Sequence, residues 1–199
     1  MKRIYRNPNH CNECSLRHEH WSPLPVPDEK GDEFGKGGVL LLGEAPGFNE
    51  QRQLHPFAGE SGRWLEWLFA SIGAERDWFY FTNTVADRPP ENRNPTKAEM
   101  EFHRPLFDAT LEEEKPGIIV ALGAVPAKFL TGKDGIKKRR GQLQLYNKVP
   151  VVLTYHPAYL MRTHNKVDSD AVRADLLWAC QLASQFANNQ QPQMSFTGF

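Results

Sequence analysis

Cysteine is scarce in this chain: three residues in 199, two of them close together as Cys11 and Cys14. So few thiols exclude a disulfide framework and point to a reducing compartment, cytoplasmic (nucleoid-associated) or nuclear. Long apolar runs are missing too, and none approaches the roughly 18 residues that cross a bilayer. The opening MKRIYRNPNH has no apolar h-region, so secretion is not expected. Net charge is also lacking, because 24 Lys and Arg are matched by 24 Asp and Glu. A polyanionic partner would therefore have to meet a local basic groove rather than a global field. Lys137–Arg140 form one basic run and Glu112–Glu114 an acidic one. No internal repeat is present.

What is present alternates between strand-like and helix-like stretches. GVLLLGE (38–44) is a short apolar run of the kind buried in a parallel sheet. WFYFTNTV (78–85), GIIVALG (117–123) and VPVVLTYHP (149–157) read as three further strands. Between them, SGRWLEWLFASIG (61–73) carries Trp64, Leu65, Leu68, Phe69 and Ile72 on one helical stripe. Thr96 and Glu99 have capping-box spacing, which starts a helix just after Pro95, with Pro105 as a point for a kink. AVPAKFLTG reads as a short helix closed by glycine, and 167–186 as a final amphipathic helix.

Four strands alternating with helices imply an α/β fold with a mostly parallel sheet covered on both faces. Residues 1–187 form one domain, with 1–35 a Pro- and His-rich N-terminal segment, and 188–199 a flexible polar tail. Ligands in such folds bind beyond the carboxyl ends of the strands. The polar stretches there are GEAPGFNEQ, TNTVADRPPENRNP and TYHPAYLMR. In the second, no regular element is expected after Val85.

GEAPGFNEQRQLHPFAGESG, TNTVADRPPENRNP and HPAYLMR, with CNECSLR before them, together resemble the motifs of the family-4 uracil-DNA glycosylases. The resemblance runs in order from about residue 11 to 180. It implies a three-layer α/β/α sandwich around a four-stranded mostly parallel sheet, and excision of uracil from DNA to leave an abasic site. Such an enzyme flips the base into a pocket that reads its Watson–Crick edge. Asn83 matches the base-reading amide, which offers both a donor and an acceptor. Phe57 matches the uracil-stacking aromatic. His156 matches the histidine beside uracil O2, where donation stabilises the leaving anion. Glu44, Glu50 and Asn92 match pocket positions; Glu44 is favoured as the pocket acid and Asn92 as the holder of water. Ala45 stands where family-1 enzymes carry an aspartate, so that route is absent.

By the same resemblance, Ser61, Gly62 and the amides around Gly47 are candidates for DNA phosphates. Leu160, Met161 and Arg162 match the loop that enters the duplex. The family's iron–sulfur cluster takes four cysteines. Here Cys11 and Cys14 match two of them, while Asp87 and His103 stand in place of the others. That donor set suits tetrahedral Zn²⁺ better than a [4Fe–4S] cluster, with an unusually ligated cluster or no metal at all as the alternatives, and the chemistry itself needs neither. The expected partner is uracil-containing DNA, met by a monomer. QMSFTGF in the tail resembles a sliding-clamp peptide. Other deaminated bases, or binding without catalysis, are the competing readings.

Overall fold

The computed structural model describes residues 1–6, 13–18, 24–35 and 38–187. Cys11 and the tail 188–199 lie outside the described residues. The elements in chain order are β1 (Lys2–Ile4), α1 (Ser15–His18), β2 (Asp28–Lys30), β3 (Val39–Gly43), α2 (Phe48–Gln53) and α3 (Glu60–Ser71). After these come β4 (Phe79–Asn83), α4 (Lys97–Glu114), β5 (Ile118–Leu122), α5 (Ala124–Thr131) and α6 (Ile136–Arg139). The chain closes with β6 (Leu143–Tyr146), β7 (Val149–Thr154), α7 (Pro157–Thr163) and α8 (Lys166–Ala187).

The four apolar runs form the parallel heart of the sheet, in the order β4-β3-β5-β7. Among the described residues the sheet has seven strands, in the order β1-β2-β4-β3-β5-β7-β6, not four. The three additional strands pair antiparallel at the two edges. They are short and polar, KRI, DEK and LQLY, so they lack the buried apolar run that marks the central strands.

Strand alternation divides the core into two layers. Val39, Leu41, Phe79, Phe81, Ile118 and Val120 face Leu65, Leu68 and Phe69 of α3 and Val172, Leu176 and Ala179 of α8. Leu40, Leu42, Tyr80, Ile119 and Ala121 face Met100, Phe107 and Leu111 of α4 and Phe129 of α5. With helices on both faces, this is the three-layer α/β/α sandwich. No helix among the described residues is long and apolar enough to cross a membrane.

The helix boundaries follow from local chemistry. Thr96 and Glu99 form the capping box: Thr96 Oγ1 accepts the Glu99 N–H (3.2 Å), and Glu99 Oε2 accepts the Thr96 N–H (2.6 Å). Helix α4 then runs through Pro105. The stretch after Val85 holds no regular helix, as expected: the Arg93 N–H donates to the Pro90 carbonyl at 2.9 Å across Glu91 and Asn92, which both take left-handed backbone angles, so Pro90–Arg93 is a tight turn. The connections after β3 and β5 leave towards opposite edges of the sheet, which opens a crevice at the carboxyl ends of these strands.

Candidate active site

That crevice is a cleft of about 1110 Å³, and every strand of the parallel heart sends residues into it. Glu44 and Ala45 follow β3, Asn83 ends β4, Gly123 follows β5, and Tyr155 and His156 follow β7. Phe57, Glu50, Ser61, Asn92, Met161 and Arg162 complete the walls that the sequence pointed to.

Asn83 is buried at the floor of the cleft. Its side chain exists in this position because Gly43, its register partner on β3, has no side chain. A Cβ on Gly43 would stand 2.3 Å from Asn83 Oδ1 and 2.8 Å from Phe57 Cζ. Phe57 lies against Phe81 at 5.8 Å between ring centroids and holds a left-handed φ of 53°, uncommon for an aromatic residue. Packing enforces that strained turn: α3 lies directly on the Phe57 carbonyl, where a Cβ on Gly62 would come within 1.5 Å.

His156 caps α7 with its own ring: Nδ1 accepts the Ala158 N–H at 3.1 Å. Burial, with the nearby Arg162 charge adding to it, pushes its pKa down to about 4. The ring is therefore neutral at pH 7, with Nδ1 committed as an acceptor and its proton on Nε2. Nε2–H is then a donor available to a substrate in the cleft. Burial raises the Glu44 carboxyl above its ordinary value, while Arg162 opposes that shift. Arg162 is thus a shared electrostatic neighbour that favours carboxylate at Glu44 and neutral imidazole at His156.

The remaining residues divide into two groups. Glu50 Oε1 accepts the Gly59 N–H at 3.0 Å, tying the loop that carries Phe57 to α2. Asn92 is exposed at the rim, and its Oδ1 accepts from Arg88 Nε at 2.6 Å. Ser61 is half-buried in the first turn of α3, and Ala45 packs against the core on the α4 side. Met161 and Arg162 reach the cleft, but Leu160 does not project with them. It is 2% exposed and packed in the core with α3 and α8, because its position on α7 turns it inward. Of the basic run, Lys137 reaches the cleft, whereas Arg140 pairs internally with Asp175 at 3.0 Å. The sequence pattern did not single out Tyr155, Phe48 or Arg88. Tyr155, directly before His156 at a strand end, was the one with a local signal.

A second cluster sits behind the cleft. The Cys14 thiol, an Asp87 carboxylate oxygen and a His103 ring nitrogen lie within 4.8 Å of one another, all buried. Cys14 precedes α1, Asp87 follows β4, and His103 lies on the core-facing stripe of α4 between Met100 and Phe107. His103 Nδ1 is 2.9 Å from the Glu99 carbonyl, the arrangement that puts the proton on Nδ1 and the lone pair on Nε2. Arg17 Nη1 donates to Asp87 at 3.0 Å. Soft sulfur with imidazole and carboxylate donors, all close and buried, fits a single metal ion.

Comparison with known proteins agrees with this geometry. The sequence model of the "Uracil DNA glycosylase superfamily" matches residues 33–178. The chain is 33% identical over 165 residues to the type-4 uracil-DNA glycosylase of Sulfurisphaera tokodaii, covering 78% of this chain and 73% of that protein. It is 33% identical over 168 residues to that of Archaeoglobus fulgidus, covering 79% and 81%. To the type-4 enzyme of Pyrobaculum aerophilum it is 30% identical over 171 residues, covering 81% and 85%. With the order of strand-end residues and these relatives in agreement, the chain belongs to the uracil-DNA glycosylase superfamily, on its type-4 branch.

Proposed function

We propose that this protein is a uracil-DNA glycosylase that hydrolyses the N-glycosidic bond of uracil in DNA and leaves an abasic site. The observation that carries this reading is the convergence of Glu44, Asn83 and His156, from the ends of three parallel strands, on one cleft. A flipped uracil stacks on Phe57 and presents its edge to Asn83, whose amide donates to O4 and accepts from N3–H. As the bond from C1′ to N1 breaks, its electron pair goes to the base and spreads to O2. The neutral His156 ring donates Nε2–H to that oxygen, stabilising negative charge that develops only in the transition state. Glu44, as carboxylate, stabilises the cationic sugar. Water held by Asn92 adds to C1′ and gives its proton to Glu44. Ser61, Met161 and Arg162 contact the DNA around the extruded nucleotide, and Leu160 supports them from the core.

The metal cluster has a structural role in this reading. Cys14, Asp87 and His103 would hold Zn²⁺, with Cys11 as the fourth ligand that the sequence resemblance implies, since zinc prefers four mixed sulfur, nitrogen and oxygen donors. A [4Fe–4S] cluster, which is held by thiolates, suits this set less well. These three residues come from the N-terminal segment, the loop after β4 and α4, so an ion held there would tie the three together without entering bond cleavage. The protein acts as a monomer on uracil-containing DNA in the cytoplasm or nucleus, with the tail 188–199 engaging a sliding clamp. Deleting the tail and measuring clamp binding tests that last point.

The decisive assay incubates the protein with oligonucleotides carrying uracil, hypoxanthine or xanthine, then reads alkali-labile sites. Cleavage only with uracil is expected. A preference for hypoxanthine or xanthine would reassign the substrate, and DNA binding without cleavage of any base would sink catalysis. Glu44→Gln should lower kcat by about a hundredfold or more if its charge stabilises the transition state.

A further inference from the structure

Strand β2 reads DEK in the sequence, which suggests a solvated edge, yet Asp28 and Glu29 are both 2% exposed. Consecutive strand residues point to opposite faces. Each carboxylate meets an arginine on its own face, and each arginine ends on a backbone carbonyl of a cleft residue or of its immediate neighbour.

On the α4 face, Asp28 accepts from Arg6 Nε at 3.2 Å, from Thr82 Oγ1 at 2.7 Å and from Tyr80 OH at 3.2 Å. Arg6 Nη2 then donates to the Asn83 carbonyl at 2.7 Å. On the α3 face, Glu29 stands opposite Phe81 and accepts from Arg76 Nε at 2.7 Å, with His55 Nε2 also 2.7 Å from it. Arg76 Nη2 donates to the Pro56 carbonyl at 2.9 Å, and its guanidinium lies 4.1 Å from the centre of the Phe81 ring. Pro56 immediately precedes Phe57, whose left-handed backbone has to be held in place.

We propose that Asp28 and Glu29 are paired positioning residues for base recognition: through Arg6 and Arg76 they fix the Asn83 peptide and the Phe57 turn from opposite faces of the sheet. This rests on the cleft being the uracil pocket. Neither carboxylate touches the base. A buried ion pair adds little net stability over a well-packed apolar pair, because desolvation offsets most of the attraction. What a buried Arg–carboxylate pair does supply is direction, since the planar fork donates along set axes to two acceptors at once. Here one arm takes the carboxylate and the other takes the carbonyl of a recognition segment. A short strand, held between β1 and β4, thereby sets both the amide that reads the base and the ring on which it stacks.

Double-mutant cycles test the inference under single-turnover conditions on uracil-containing oligonucleotides. Lysine keeps the charge but not the fork, so Arg6→Lys and Arg76→Lys should each lower kcat/KM by roughly tenfold. Because they act through the recognition residues, Arg6→Lys should change the rate by less than about twofold in an Asn83→Ala background, and Arg76→Lys likewise in Phe57→Ala. Full, additive losses in those backgrounds would mean a general structural role and overturn the inference, as would lysine variants with wild-type kcat/KM. If a lysine variant does not fold, the same cycles are run with Asp28→Asn or Glu29→Gln, which keep side-chain shape and release the arginine. Wild-type protein that releases no uracil would instead overturn the functional reading on which this one stands.

Discussion

Gly43 and Asn83 sit side by side on adjacent parallel strands, and the amide oxygen of Asn83 occupies the space a Gly43 side chain would need, 2.3 Å from an added Cβ. The same Cβ would meet the edge of the Phe57 ring at 2.8 Å. Gly43→Ala should therefore displace the Asn83 and Phe57 side chains together. We expect kcat/KM on uracil-containing DNA to fall by about a hundredfold, with a stability cost of only about 1–3 kcal/mol from overpacking. Retained activity in a folded Gly43→Ala protein would show that the Asn83 position is not needed.

His156 gives a pH dependence of stability with a definite sign. Its folded pKa of about 4 lies below the ordinary 6.5, so the unfolded chain binds the extra proton first. Stability from the neutral ring is intact above pH 6.5 and is lost as pH falls towards 4, by at most about 3 kcal/mol. The raised pKa of Glu44 works in the opposite direction, so a variant is needed to isolate the histidine. Urea unfolding across this range should be flatter for His156→Asn, which keeps a helix-capping side chain but does not titrate. Identical slopes would refute a depressed histidine.

Metal content separates the possible ion centres. Protein purified without added metal should be colourless and carry about one Zn²⁺ per chain, held as in other four-ligand structural sites. Cys14→Ala, Asp87→Ala and His103→Ala should each lose the ion and unfold at lower temperature. A brown protein with visible absorbance would mean an iron–sulfur cluster, and a fully stable metal-free protein would leave the cluster of donors without an ion to hold.

Leu160 and Met161 are neighbours with opposite surroundings, one in the core and the other at the cleft. Leu160→Ala should cost about 2–5 kcal/mol of stability through the cavity it leaves. Met161→Ala should leave stability nearly unchanged and raise KM for DNA. An exchange of these two phenotypes would place Leu160, not Met161, against the DNA.

The amino-acid sequence by itself determined the four central strands, the capped start of α4 and the residues at the strand ends. Val39–Gly43 and Ile118–Leu122 are legible because strands buried on both faces must be apolar throughout. The alternating elements say that a ligand binds beyond the strand ends, and the resemblance to the family-4 enzymes singles out Asn83 and His156 there. Only the tertiary structure decided the edges of the sheet and the direction of individual side chains. Leu160 lies inside and Met161 at the cleft because α7 packs against α3, which one turn of sequence cannot express. Asp28 and Glu29 are buried because Arg6 and Arg76, 22 and 47 residues away, bring counter-charges to them. Burial of a charge depends on a distant partner rather than on local periodicity, so DEK looks like solvent-exposed sequence until the chain has folded around it.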